Sequence, residues 1–133
     1  MMYNPYLKNI RHENVLELAG QVEIQPGQIV SKTLAQNSAV SVTLFAFDKG
    51  EEISTHKSDG DAMVTVLEGT GQFTVDGKAY VLQQGETLVM SAGKPHAVFA
   101  RESFKMSLLV IFPFPSTQQT LPSAENESLQ GGI

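Results

Sequence analysis

The chain has 133 residues, 41% apolar and 17% charged, with no cysteine and a formal net charge of −5. That length is one domain with enough apolar residue for a core, and without cysteine neither a disulfide framework nor a thiolate metal site can form. The nine Lys and Arg residues are scattered, so there is no concentrated basic stretch of the kind that neutralises nucleic-acid phosphates.

Met1 to Asn9 shows no basic region followed by an apolar run, and the longest strongly apolar run, Leu108 to Phe114, is far too short to span a bilayer. We therefore expect a soluble, cytoplasmic protein with neither nucleic acid nor membrane as partner.

Residues 1–20 have no sustained period and read as an N-terminal extension, with a short helical turn expected near Asn14 to Leu18. From Gln21 the chain changes character. Val22 and Ile24 alternate with polar residues, Pro26-Gly27 marks a turn, and Ile29-Val30 opens another strand. Asn37 to Phe47 reads as a long strand. Val40, Val42, Leu44 and Ala46 form one face, and Ser41, Thr43, Phe45 and Phe47 the other.

Ala62 to Glu68 is a β-rich run ending at Gly69-Thr70-Gly71. In Phe73-Thr74-Val75-Asp76-Gly77-Lys78-Ala79-Tyr80, the Asp-Gly pair predicts a two-residue hairpin, because both turn residues must take positive φ. That register pairs Val75 with Lys78 and Phe73 with Tyr80, and places Phe73, Val75, Tyr80 and Leu82 on one face. Strands follow at Thr87 to Ser91 and His96 to Arg101, and Phe104 to Phe112 closes the domain with Phe104, Met106, Leu108, Val110 and Phe112 on one face. Short strands punctuated by glycine turns indicate an all-β sandwich or barrel, spanning 21–115. Residues 116–133 turn polar and read as a flexible tail.

Two glycine–histidine runs decide between sandwich and barrel. The first is Gly50, His56 and Gly69 with Val66-Leu67-Glu68 before the last glycine; the second is Gly85, Gly93, Pro95 and His96. In this order around a hairpin, over roughly residues 38 to 112, they resemble the cupin superfamily and its small single-domain, RmlC-like members. The resemblance implies an all-β double-stranded β-helix, that is, a jelly-roll barrel.

Metal-binding cupins hold their ion with three His and one Glu. Here the second His position is Ser58, the Glu position is Ala62 (or Met63 with the longer spacing), the second motif's first Pro is Ser91 and its terminal Asn is Ala100. The resemblance thus leaves His56 and His96 as ligands. Asp61 would complete a two-histidine, one-carboxylate face for a divalent transition metal (Fe, Mn, Ni or Zn) if an extra residue in Ser58-Asp59-Gly60 reversed the strand parity. The alternative is that Asp61 bonds backbone amides of the turn. His12 reads as a surface residue, and Glu51, Glu52 and Glu68 as solvated rim charges.

The aromatics and methionines are core residues by default, but in a barrel some of an inward face lines a pocket. The pocket candidates are His56, Ser58, Met63, Met90, His96, Phe45 and Phe47. Two functions compete. One is a binding module for a small, partly apolar molecule, with an incomplete histidine site and weak metal or none. The other is a metal-dependent enzyme, dioxygenase- or isomerase-like, on His56 and His96, with or without Asp61. A third reading is a purely structural barrel. A homodimer is expected by resemblance, and because strands at 21 to 35 would be available to a neighbour.

Overall fold

Positive φ at Asp76 (52°) and Gly77 (86°) turns the chain back on itself, as a two-residue primed hairpin requires. The turn joins β4 (Asp61–Val75) to β5 (Lys78–Gln83), with Val75 opposite Lys78 and Phe73 opposite Tyr80. This is the register expected from the sequence. Around it a computed structural model, which describes residues 5–113, arranges eight antiparallel strands. The others are β1 (Ile29–Gln36), β2 (Val40–Phe47), β3 (Glu52–His56), β6 (Thr87–Met90), β7 (His96–Phe99) and β8 (Phe104–Ile111).

β4 is the spine. Its first half pairs with β8 and β6, and its second half with β5 and β7. One wall of the barrel therefore runs β1-β2-β8-β4-β6 and the other β5-β4-β7-β3. The sequence reading ended a strand at Gly69-Thr70-Gly71, whereas the strand runs through it. A register shift between Val66 and Glu68 switches the inward parity from Ala62, Val64 and Val66 to Gly71 and Phe73. Bulges bend a strand in this way. Gly69 sits at φ +80°, where a Cβ would stand 2.5 Å from the Ser103 carbonyl oxygen, so the bend requires glycine.

The barrel interior is packed by Phe47, Val64, Val66, Phe73, Met90, Phe104, Met106 and Val110. Phe47 stacks on Phe104 at 4.7 Å between ring centroids. The two faces of β2 separate as the alternation predicts. Phe45 and Phe47 belong to the barrel core, while Leu44 and Ala46 join Val22 and Leu34 in a second, smaller core on the outside.

That outer core explains a difference from the sequence reading. Val22 and Ile24 alternate, yet they form no strand; a 3-10 turn at Leu18–Gln21 precedes them. Their apolar side chains pack across the outer face of β2, so the alternation reflects burial without strand pairing. β1 pairs along its length with β2 of the same chain and forms the edge of that wall. No helix among the described residues is long and apolar enough to cross a membrane. Residues 1–4 of the extension and the 116–133 tail lie outside the described residues.

Candidate functional site

One end of the barrel gathers the C-terminus of β3 with the N-terminus of β7, and the starts of β2 and β4 with the end of β8. His56 is the last residue of β3 and His96 the first of β7, and they lie directly opposite each other. This juxtaposition depends on an irregularity. Ile53 pairs with Val98, so an unbroken ladder would set Thr55 opposite His96. An extra residue between Ile53 and His56 brings the imidazole there instead. Bulges re-aim side chains at sites of this kind.

The two rings are 4.3 Å apart between centroids, inclined at 64°. His96 is 3% exposed and His56 half-buried. Each ring is fixed by a carbonyl two residues upstream: His56 Nδ1 lies 2.9 Å from the Ser54 oxygen and His96 Nδ1 3.2 Å from the Lys94 oxygen. A carbonyl only accepts, so each Nδ1 carries a proton and donates, and in the neutral form each ring has its lone pair at Nε2. Burial lowers the His96 pKa below its ordinary value; the Lys94 carbonyl opposes this and positive charge on His56 adds to it.

The other expected site residues separate. Ser58 is buried, but its hydroxyl accepts from the Gly60 N–H at 3.1 Å and its carbonyl from the Gly93 N–H at 2.9 Å. It braces two loops at the barrel end. Asp61 is exposed and its carboxylate accepts from the Ala92 N–H at 2.8 Å. The parity reversal that would have turned Asp61 inward does not occur, because Ala62 takes the inward position with no exposure. The carboxylate bonds a backbone amide, though on the loop before β7 and not in the Gly60 turn.

Met63, expected at the pocket, stands on the outer face with 39% exposure, for the same parity reason. Met90 and Phe47 are inside but belong to the packed core. His12 is exposed, with Nε2 2.8 Å from the Leu7 carbonyl oxygen. Glu68 is exposed and pairs with Lys105 at 3.8 Å.

The donor set does not fit a catalytic transition metal. Open metal sites keep about three protein ligands. Among the described residues no group of three His, Asp or Glu side chains converges, and Asp61 faces away. Two Nε2 lone pairs remain.

A cavity of about 310 Å³ lies inside the barrel against β2 and β8, lined by Gln36, Ser41, Thr43, Phe45, Leu108, Val110 and Phe112. Of the expected pocket residues only Phe45 lines it. Sequence alternation put Thr43 on one face with Phe45, and Leu108 on one face with Val110; which inward positions meet a void rather than a neighbour depends on how the barrel closes. No charged side chain is in the lining. The strand ends place this cavity at the same end of the barrel as the histidine pair.

A family model described as a cupin domain matches residues 43–112. The chain is similar to a conserved protein of unknown function from Streptococcus pyogenes, at 45% identity and TM-score 0.82, covering 84% of this chain and 97% of that one. It is also similar to a cupin superfamily protein from Desulfitobacterium hafniense (33% identity, TM-score 0.77, covering 80% and 98%). A cupin 2 conserved barrel domain protein from Leptotrichia buccalis matches at 45% identity and TM-score 0.71, covering 72% of this chain and 47% of that one. No curated protein matches. Histidines paired across adjacent strands, a jelly-roll topology and a family match over more than half its length establish that this chain belongs to the cupin superfamily.

Proposed function

We propose that this cupin is a binding module which takes up a small, partly apolar molecule at the open end of its barrel. The observation that carries this reading is the internal cavity, walled by Phe45, Leu108, Val110 and Phe112 with Ser41, Thr43 and Gln36 as its polar groups. Apolar walls with a few placed polar groups are the usual make-up of a small-molecule site. Without a cation in the lining, a carboxylate or phosphate would be desolvated with no counter-charge. The histidine pair supplies acceptors at Nε2, so the ligand is uncharged and carries a hydroxyl or amino group that donates to them.

The enzyme reading puts a metal on His56 and His96, with or without Asp61, and the outward Asp61 carboxylate, which leaves the pair without a third protein ligand, weighs against it. Thermal denaturation against a set of matched fragments tests the proposal, because a ligand that binds the folded state raises Tm. Phenols and aromatic alcohols are expected to raise Tm, the corresponding benzoates are not, and Phe45→Ala is expected to abolish the effect. Equal stabilisation by the benzoates, or a shift that survives Phe45→Ala, would contradict it.

A further inference from the structure

The outer face of the β3-β7-β4 wall carries a hollow that its register explains. Glu52 lies opposite Phe99, and Phe99 opposite Gln72, one row across three strands. In the next row Thr74 lies opposite Ala97, whose single methyl group leaves the sheet low there. The irregularity in β3 sets two hydroxyl residues, Ser54 and Thr55, against that one alanine. A trough of about 460 Å³ results, with Phe99 and Ala97 on its central strand, Glu52, Ser54 and Thr55 on one side, and Gln72 and Thr74 on the other. It is separate from the barrel interior, because Val98 and Phe73, which alternate with these residues, belong to the core.

The trough is one-sided in charge. Glu52 is exposed, and no Lys or Arg side chain lines the hollow. Among the described residues the ion pair is Lys105 with Glu68, and Lys78, on β5 of the same wall, lies over the Tyr80 ring at 5.1 Å. The Glu52 carboxylate thus has no cationic partner among the described residues. Phe99, 36% exposed, stands between that carboxylate and the Gln72 amide, with cross-strand neighbours about 5 Å apart.

These neighbours select the occupant. An anion finds no counter-charge here. A metal ion finds one carboxylate, short of the several oxygens that hard cations require. A neutral polyol could bond the hydroxyls but would leave the attraction of the phenyl face for positive charge unused. An organic cation uses every group. Its charge sits beside Glu52 and over Phe99, its N–H groups donate to the Gln72 amide oxygen and the hydroxyls, and its alkyl part lies along Phe99 and Ala97. The net charge of −5 draws such a molecule towards the chain. We propose that this trough binds a small organic cation, an alkylammonium or alkylguanidinium, independently of any ligand held in the barrel.

Nuclear magnetic resonance of the backbone amides, during titration of the full chain with butylammonium and butylguanidinium at low salt, tests it. The expected result is a saturable shift of the Glu52, Gln72, Ala97 and Phe99 signals, with those of Leu108 and Val110 unmoved. The dissociation constant is expected to rise about fivefold or more in Glu52→Gln and in Phe99→Ala, both at exposed positions where replacement leaves the core packing intact. Ala97→Leu, which fills the trough without changing its charge, is expected to abolish the shift while far-ultraviolet circular dichroism stays the same. Butanol and butyrate are expected to shift nothing. Absence of a saturable shift with both cations would overturn the proposal. So would an affinity unchanged in Glu52→Gln and Phe99→Ala, or equal binding of butanol.

Discussion

His56 and His96 meet edge to face at 4.3 Å because β3 carries one residue more than its partner strand between Ile53 and the barrel end. A regular ladder would put the Thr55 side chain there. The chain then fixes both rings in one tautomer through the Ser54 and Lys94 carbonyls, leaving two acceptor nitrogens at the barrel end. Burial, and any positive charge on His56 beside it, disfavours the protonated form of His96.

Stability therefore depends on pH in a defined direction. Burial lowers the His96 pKa from its ordinary value of 6.5, so the folded chain binds fewer protons than the unfolded one between the two values. The contribution is fully present above about pH 6.5, is lost as pH falls through 6.5 towards the depressed value, and is constant below it. Urea unfolding at pH 7.5 and pH 5 is expected to show lower stability at the acid pH, with a smaller difference in His96→Gln. An equal difference in the variant would remove His96 as the cause.

Glycines in this barrel differ sharply in tolerance. A Cβ on Gly60 would run into the Ile111 backbone carbonyl, where β4 begins beside β8, whereas Gly20 has nothing within 4 Å. Gly60→Ala is expected to cost about 3 kcal/mol, and Gly20→Ala to stay within about 0.5 kcal/mol of wild type. Chemical denaturation of both variants checks this, and similar losses in the two would contradict the backbone contact as the reason.

The fold was legible in the sequence because independent signals agreed. The Asp76-Gly77 turn fixed the β4–β5 register, and alternation assigned both faces of β2 and the inner face of β8 correctly. What escaped were bulges. The extra residue before His56 and the register shift between Val66 and Glu68 leave no compositional mark, yet each reverses which side chains point inward. Met63 was misplaced, and Asp61 left between a ligand and an amide acceptor, for a related reason: their facing depends on the parity at the start of β4, and Ser58-Asp59-Gly60 leaves that parity open. The split of inward residues into cavity lining and solid core follows from closure of the two walls, which no local pattern records.

With two imidazoles and no converging carboxylate, divalent ions gain little by binding. Dialysis against a chelator is expected to leave Tm unchanged in the wild-type chain and in His56→Ala alike. A fall in Tm on chelation that is absent in His56→Ala would mean that an ion stabilises the folded state through this pair, and would return the metal-dependent reading to first place.

In the proposed binding module, the cavity beside Phe45 and the two Nε2 nitrogens act on one ligand. Nuclear magnetic resonance of the imidazole nitrogens and of the Leu108 and Val110 methyl groups, during titration with a phenol, tests it most directly. Both sets of signals are expected to move together along a single binding curve, with both histidines held in the Nδ1–H tautomer. Methyl shifts that saturate while the imidazole nitrogens stay still would show that the cavity and the histidine pair are separate, and would contradict it.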